Sequence, residues 1–273
     1  MRRLAAALVA VLVVSAGCTG ASEPDVRPTP VETSEPAISL ASLGLDWPRA
    51  DGMLDVADPP EAPDGFAAAL VARMADVLTD WAQVSTVDED VRRSATPVQD
   101  VAAALPPESG AALRALTEDA VSPDLGVANV FADDVTLLGA PVVTTAWDVS
   151  TRTDDAGRPY VLLQLQTRAA YEVRLGDDAP TRVIGVLRVH GLSAYPGTTD
   201  DFGVTGGWQE FGAGDCALAL DDALLPDADL DAAARDLRTF VEVGDGSRLV
   251  MPPLEDDDQV DAEYLQRCRD GAT

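Results

Sequence analysis

The stretch 160–175 (YVLLQLQTRAAYEVRL) constrains the fold most, because its polarity repeats every second residue. Odd positions carry Val161, Leu163, Leu165, Ala169, Tyr171, Val173 and Leu175; even positions carry Gln164, Gln166, Arg168, Glu172 and Arg174. Successive side chains on a strand point to opposite faces, so this run reads as one long strand with a buried and a polar face. Gly176, Asp177 and Asp178 turn the chain into a second strand at 181–195. Upstream, Val143, Thr145, Trp147 and Val149 alternate in the same way, and Asp154, Asp155, Ala156 and Gly157 supply the connecting turn. Successive strands with short links favour an antiparallel meander. Gly185 and Gly191 are expected to mark bends or bulges that curve it.

Helical periodicity lies mainly ahead of these strands. Asp64 follows Pro63 as an expected N-cap, and Phe66, Leu70, Met74, Val77 and Trp81 recur at spacings of three and four. Thr96 and Pro97 open a short helix to Leu105, where Pro106 and Pro107 stop it. A further helix is expected over 108–120. After Pro196 the glycines around Trp208 and Phe211 suggest a loop and a short strand ending at Cys216. Residues 231–240 read as helix and 241–251 as a hairpin. The tail holds the acidic run Glu255, Asp256, Asp257, Asp258 and then a short helix to Cys268.

Helices packed on a long curved antiparallel sheet make an α+β domain. The order of elements over about 63–216 resembles the NTF2-like class, in which helices close a curved sheet around a pocket. That resemblance implies a cone-shaped fold, and residues beyond 216 would form an extension outside it.

The N-terminus has its own signature. Arg2 and Arg3 precede an apolar run over 4–14, too short for the roughly 20 residues that span a bilayer as a helix. Val14, Ser15, Ala16, Gly17 and Cys18 follow, and this stretch resembles the lipobox of bacterial lipoproteins, with Val14 where leucine is most usual. The resemblance implies a signal peptide over 1–17, cleavage before Cys18, and a diacylglycerol on its thiol. Residues 18–39 carry Pro24, Pro28, Pro30 and Pro36 among Ser, Thr and Glu, the composition of a disordered, extended tether. Residues 40–62 are too apolar for a free linker and are expected to lie across the domain surface as an arm anchored by Trp47. Residues 63–273 form the single expected domain. With Cys18 acylated, Cys216 and Cys268 have one possible pairing in an oxidising compartment, a disulfide that staples the C-terminal extension.

Composition removes whole chemistries. The chain carries 47 acidic and 19 basic side chains, a net charge of −28, and every basic side chain is arginine. There is no lysine for a P-loop, a Schiff base or an S-x-x-K acyl-enzyme. His190 is the sole histidine, which excludes H-E-x-x-H and other multi-histidine metal sites. No basic footprint for nucleic acid exists. No metal or cofactor is assigned. Arginine without lysine, beside abundant Ala, Val and Asp, together with the lipobox, resembles actinobacterial lipoproteins.

Arg168, Arg174, Arg182 and Arg188, with His190, fall on even positions of the two longest strands. Arginine forks bind carboxylates and phosphates, so one reading is an anion-binding face or cavity mouth. The other is a solvated sheet face on which these arginines pair with Glu172 and nearby acids. Catalysis at His190 would need a nearby nucleophile and acid. No G-x-S-x-G is present, since Tyr195 replaces the last glycine of Gly191-Leu192-Ser193-Ala194-Tyr195. A structural hydrogen-bonded role is the default for His190, and no catalytic residue is assigned. Asp227, Asp229 and Asp231 begin like a calcium loop, but Ala232 and Arg238 stand where glycine and glutamate are required. They read better as an acidic helix start.

The expected function is therefore a non-catalytic binding module, anchored to the outer face of the membrane through lipid on Cys18. Its partner would be an envelope protein or a small-molecule ligand. Two alternatives stand beside it: an envelope enzyme with a pocket carboxylate as general base, as in some NTF2-like proteins, and an accessory subunit of an envelope complex.

Overall fold

Strand β3 (Pro159–Leu175) is the spine of the computed structural model, and β4 (Arg182–Ala194) pairs with it antiparallel over its whole length. The structure describes residues 38–242 apart from 119, 121 and 178, together with 266 and 268. The expected signal peptide, Cys18, the expected tether up to residue 37 and the acidic run from Glu255 to Asp258 lie outside the described residues, as does most of the expected hairpin over 241–251.

On its other edge β3 pairs with β1 (Val135–Leu137) and β2 (Val142–Thr153), two pieces of one strand interrupted near Gly139 and Pro141. β4 pairs with β5 (Gly203–Phe211), so the α+β fold carries a five-stranded, antiparallel meander. Strand limits agree with the alternation to within a few residues, because a one-residue slip would exchange the buried apolar face for the polar one and so leaves the register little freedom.

Helix α1 (Ala68–Thr86) lies across β3 and β4. Leu70, Met74, Leu78 and Trp81 form its buried stripe, and Met74 and Leu78 are fully sequestered. Each such side chain contributes about 1.5–3 kcal/mol by leaving water. Val77 sits at the edge of this stripe and Leu78 at its centre. The helix begins at Ala68 rather than beside Asp64, because Gly65 adopts φ +89 in the turn between them. Four short helices complete this layer: α2 (Glu89–Arg92), α3 (Pro97–Ala103), α4 (Pro107–Thr117) and α5 (Pro123–Val127).

The opposite face of the sheet is also covered. Helix α7 (Leu230–Glu242) lays Leu237 and Phe240 against Val183, Leu187 and Phe211, joined by Leu40 and Leu45 of the arm. A Cβ on Gly185 would stand 2.9 Å from the Phe240 ring, and one on Gly191 would stand 2.5 Å from the Thr205 side chain. The β3–β4 pairing runs unbroken through both glycines. They admit close neighbours and do not mark bulges.

Two further expectations are corrected. Cys216 lies in helix α6 (Asp215–Asp221), beyond the end of β5, where it is bonded to Cys268 across a sequence separation of 52. Val241 belongs to α7, so no hairpin starts there. The acidic start of α7 is as expected: the Asp229 carboxylate accepts from the N–H groups of Asp231 and Ala232 at 2.9 and 3.0 Å.

Candidate functional site

The five residues of the expected anion face do not share a face. Arg168 stands opposite Leu187, and Arg188 stands opposite Thr167. Directly paired residues point the same way, so even positions of β3 join odd positions of β4. Arg168 and Arg174 therefore face α7 and the arm, whereas Arg182, Arg188 and His190 face α1. The solvated-face alternative is overturned as well, because Arg168, Arg188 and His190 are buried. Glu172 pairs with Arg49 of the arm and accepts from the Leu40 N–H.

Arg168 packs against the rings of Trp47 and Phe240, which themselves meet edge-on at 5.6 Å, and it donates to the Phe240 carbonyl. This cation–π cluster fastens the arm and α7 to the sheet. Arg174 and Arg182 are half-buried near the far end of the hairpin.

Arg188 is the hub of a polar layer under α1. It donates to the carbonyls of Leu125 (2.8 Å) and Gly126 (3.0 Å), in the last turn of α5, and to Asn129 Oδ1 (3.0 Å). Cations near exposed helix carbonyls are favoured, so Arg188 caps α5 from another element. Asn129 donates in turn to the Tyr171 hydroxyl at 2.7 Å, which donates to the Thr86 carbonyl at 2.6 Å. Burial lowers the Arg188 pKa to about 10 and raises that of Tyr171 to about 12, so both keep their ordinary charge at neutral pH.

His190 forms a separate contact. Its Nε2 lies 2.8 Å from Ser85 Oγ, its Nδ1 lies 3.4 Å from the Leu165 carbonyl, and the Trp81 ring packs edge-on against it. A carbonyl only accepts, so the Leu165 contact requires the ring proton on Nδ1. The pair has the spacing of a serine nucleophile and its base, with a carbonyl where a carboxylate would orient the ring. Both side chains are wholly buried between α1, which carries Ser85, and the sheet. Ser85 carried no sequence signal, because its partner lies 105 residues away.

Burial, reinforced by the Arg188 charge, lowers the His190 pKa from 6.5 to about 3. The sign follows from linkage. Above pH 6.5 the ring is neutral in both folded and unfolded chains. Below it the unfolded chain takes the proton and the folded one does not, so stability falls by about 1.4 kcal/mol per pH unit down to the folded value. Asp124 and Asp222 oppose this trend, since burial raises both pKa values and their protonation favours the folded chain. Comparing the wild type with His190→Gln from pH 8 to 4 isolates the histidine. We expect the difference between them to be flat above pH 6.5 and to shift against the wild type below it. A flat difference throughout would refute a neutral buried ring.

An open feature lies elsewhere. The arm at Ala50–Gly52, the C-terminal turn of α1, helix α2 and the 137–141 link enclose a half-open hollow of about 560 Å³. Gln83 holds its wall by accepting from the Leu54 N–H and donating to the Gly52 carbonyl, both at 2.8 Å. Asp51, Asp88, Glu89 and Asp90 ring it, and Arg92 is among its lining residues. Arg92 is only 8% exposed, yet its Nε and Nη1 meet no hydrogen-bond partner among the described residues. Nothing local in the sequence separates Arg92 from its neighbour Arg93, which is exposed and paired with Glu89 at 3.1 Å.

Among the described residues no group of three or more His, Cys, Asp and Glu side chains is placed to hold a metal, and no helix is long and apolar enough to cross a membrane. No family model, curated protein or solved structure matches the chain.

Proposed function

We propose that this protein is a lipid-anchored, extracytoplasmic binding module, with Cys18 as the acylated residue and the proline-rich tether as a spacer. The observation that supports binding over catalysis is a contrast of access. Ser85 and His190 are sealed between α1 and the sheet, whereas the hollow beside Arg92 is half-open and polar-rimmed. The Cys216–Cys268 bond suits an oxidising compartment. Within the α+β class, we place the domain as a variant of the NTF2-like cone, on the order of its helices and meander, with the region under α1 filled by the Arg188 layer.

The anchor is tested by growing cells on an alkyne fatty acid. The wild-type chain should carry label and sediment with membranes, and Cys18→Ser should lose both properties. An unlabelled wild-type chain recovered from the cytosol would remove the envelope reading altogether.

A further inference from the structure

We infer that the outer face of the sheet beyond α7 is a docking surface for the chain's own residues 243–254, which pack on Leu162, Gln164 and Gln166. This stands apart from the lipid anchor and from the hollow beside Arg92.

Leu162, Gln164 and Gln166 are even residues of β3, so they share a face with Arg168, the face on which α7 and the arm lie. Gln166 is 1% exposed, and Gln164 and Leu162 are each 7% exposed. Leu162 nonetheless belongs to neither apolar cluster of the described residues. The Phe240 ring packs on Gly185, whereas Gly191, the partner of Gln164, stands six residues further along β4. That is roughly 20 Å at the rise of a strand. Helix α7 ends two residues after Phe240, about 3 Å further on. The arm leaves this face after Trp47: Arg49 pairs with Val142 at the start of β2, and the Leu54 N–H bonds to Gln83 of α1. Among the described residues, then, no element lies over Leu162 and Gln164.

Buried amides are paired, and both glutamines are engaged, yet no hydrogen bond joins either side chain to another described residue. A glutamine amide donates and accepts, which suits the N–H and C=O groups of a peptide chain laid beside it. The chain that leaves α7 is placed to be that occupant. Helix α7 brings Glu242 onto this face, with Val241 packed on the same cluster as Val189. At the other end Cys268 is bonded to Cys216, just past the Phe211 end of β5. Twelve residues reach up to about 40 Å, enough to pass from Glu242 over Gln164, and the rest of the chain suffices to return to Cys268. Leu249, Val250, Met251 and Leu254 supply the apolar cover that Leu162 needs, ahead of the acidic run at 255–258. The proline-rich 18–37 has no comparable apolar group, and it joins the domain at the opposite end of β4, where the Ile38 N–H bonds to the Thr181 carbonyl.

Trypsin tests this on the purified, oxidised full chain. Arg248 is the sole basic residue over 243–265, so cleavage after it reports release of the segment. We expect cleavage there to be at least tenfold slower in the folded chain than in a synthetic peptide of residues 243–254. Gln164→Leu with Gln166→Leu should raise the rate at least threefold, because the apolar replacements cannot bond the segment. Met251→Ser with Leu254→Ser should bring it to the rate of the matching peptide. This second variant leaves β3 untouched, so it tests the surface even if the glutamine variant fails to fold. Photo-methionine at Met251 should cross-link to 160–168 of β3 or 187–193 of β4, and Met251→Leu should lose that link. Peptide-like cleavage of the wild type, protection that survives both double variants, or the absence of cross-links to that face would each overturn the inference. None of these readouts depends on a ligand or on fatty-acid labelling.

Discussion

Arg188→Met is expected to destabilise the protein by about 3–5 kcal/mol, the largest loss for a single side chain outside the apolar core. Two effects oppose each other at this position. Removing the guanidinium relieves its desolvation, which is enough to bring its pKa down to about 10 and corresponds to roughly 3 kcal/mol. Against that, the substitution strands the carbonyls of Leu125 and Gly126 and the Asn129 oxygen in a dry layer. Hydrogen bonds to a charged donor contribute about 1.5–3 kcal/mol each, so their combined loss exceeds the relief. Urea unfolding midpoints measure the difference, with the exposed Arg152→Met as a control expected to change nothing. A loss below about 1 kcal/mol would show that Arg188 does not hold α5 to the sheet. Asn129→Ala should couple strongly with Arg188→Met in a double-mutant cycle, because the two share one hydrogen-bonded network.

Opening the Cys216–Cys268 bond is the second large effect. Its sequence separation of 52 restricts the unfolded chain enough to contribute about 4 kcal/mol through loop-closure entropy. Unfolding in the presence and absence of dithiothreitol, and of Cys216→Ser with Cys268→Ser, should agree on that loss. Agreement between them matters, since reduction changes only the cross-link whereas substitution also changes packing around the buried Cys268. A reduced protein as stable as the oxidised one would mean that the bond constrains little. It would also remove one of the arguments for export.

The long strands and the two amphipathic helices were legible because each is a periodic signal contained in one segment. Val161, Leu163 and Leu165 announce β3 by alternation, and Leu70 and Met74 announce α1 by a spacing of four. The short pieces were not legible. Helices α2, α5 and α6 and strand β1 span three to seven residues, below the length at which a period can be recognised. Gly185 and Gly191 were visible as special, but their reason was not, since the Phe240 ring and the Thr205 methyl come from distant parts of the chain.

The site followed the same division. Alternation within β3 fixes which of its residues share a face. It does not fix which face of β4 joins them, and a pairing in which Arg168 meets Leu187 exchanges odd for even. Arg168 and Arg188 thereby part to opposite sides of the sheet, and the anion face read from their numbers dissolves.

Amino-acid order alone therefore determined the class of fold, the antiparallel meander, and the exclusion of lysine chemistry and multi-histidine metal sites. These depend on composition or on periods within a segment. Tertiary structure decided that both faces of β3 and β4 are covered, that His190 meets Ser85 in a sealed layer, and that Arg92 is buried while its neighbour Arg93 is exposed and paired with Glu89. Those outcomes depend on register and on which helix lies over which strand. They arise from hydrogen bonds and close packing between segments far apart in the chain, and no local pattern encodes such contacts.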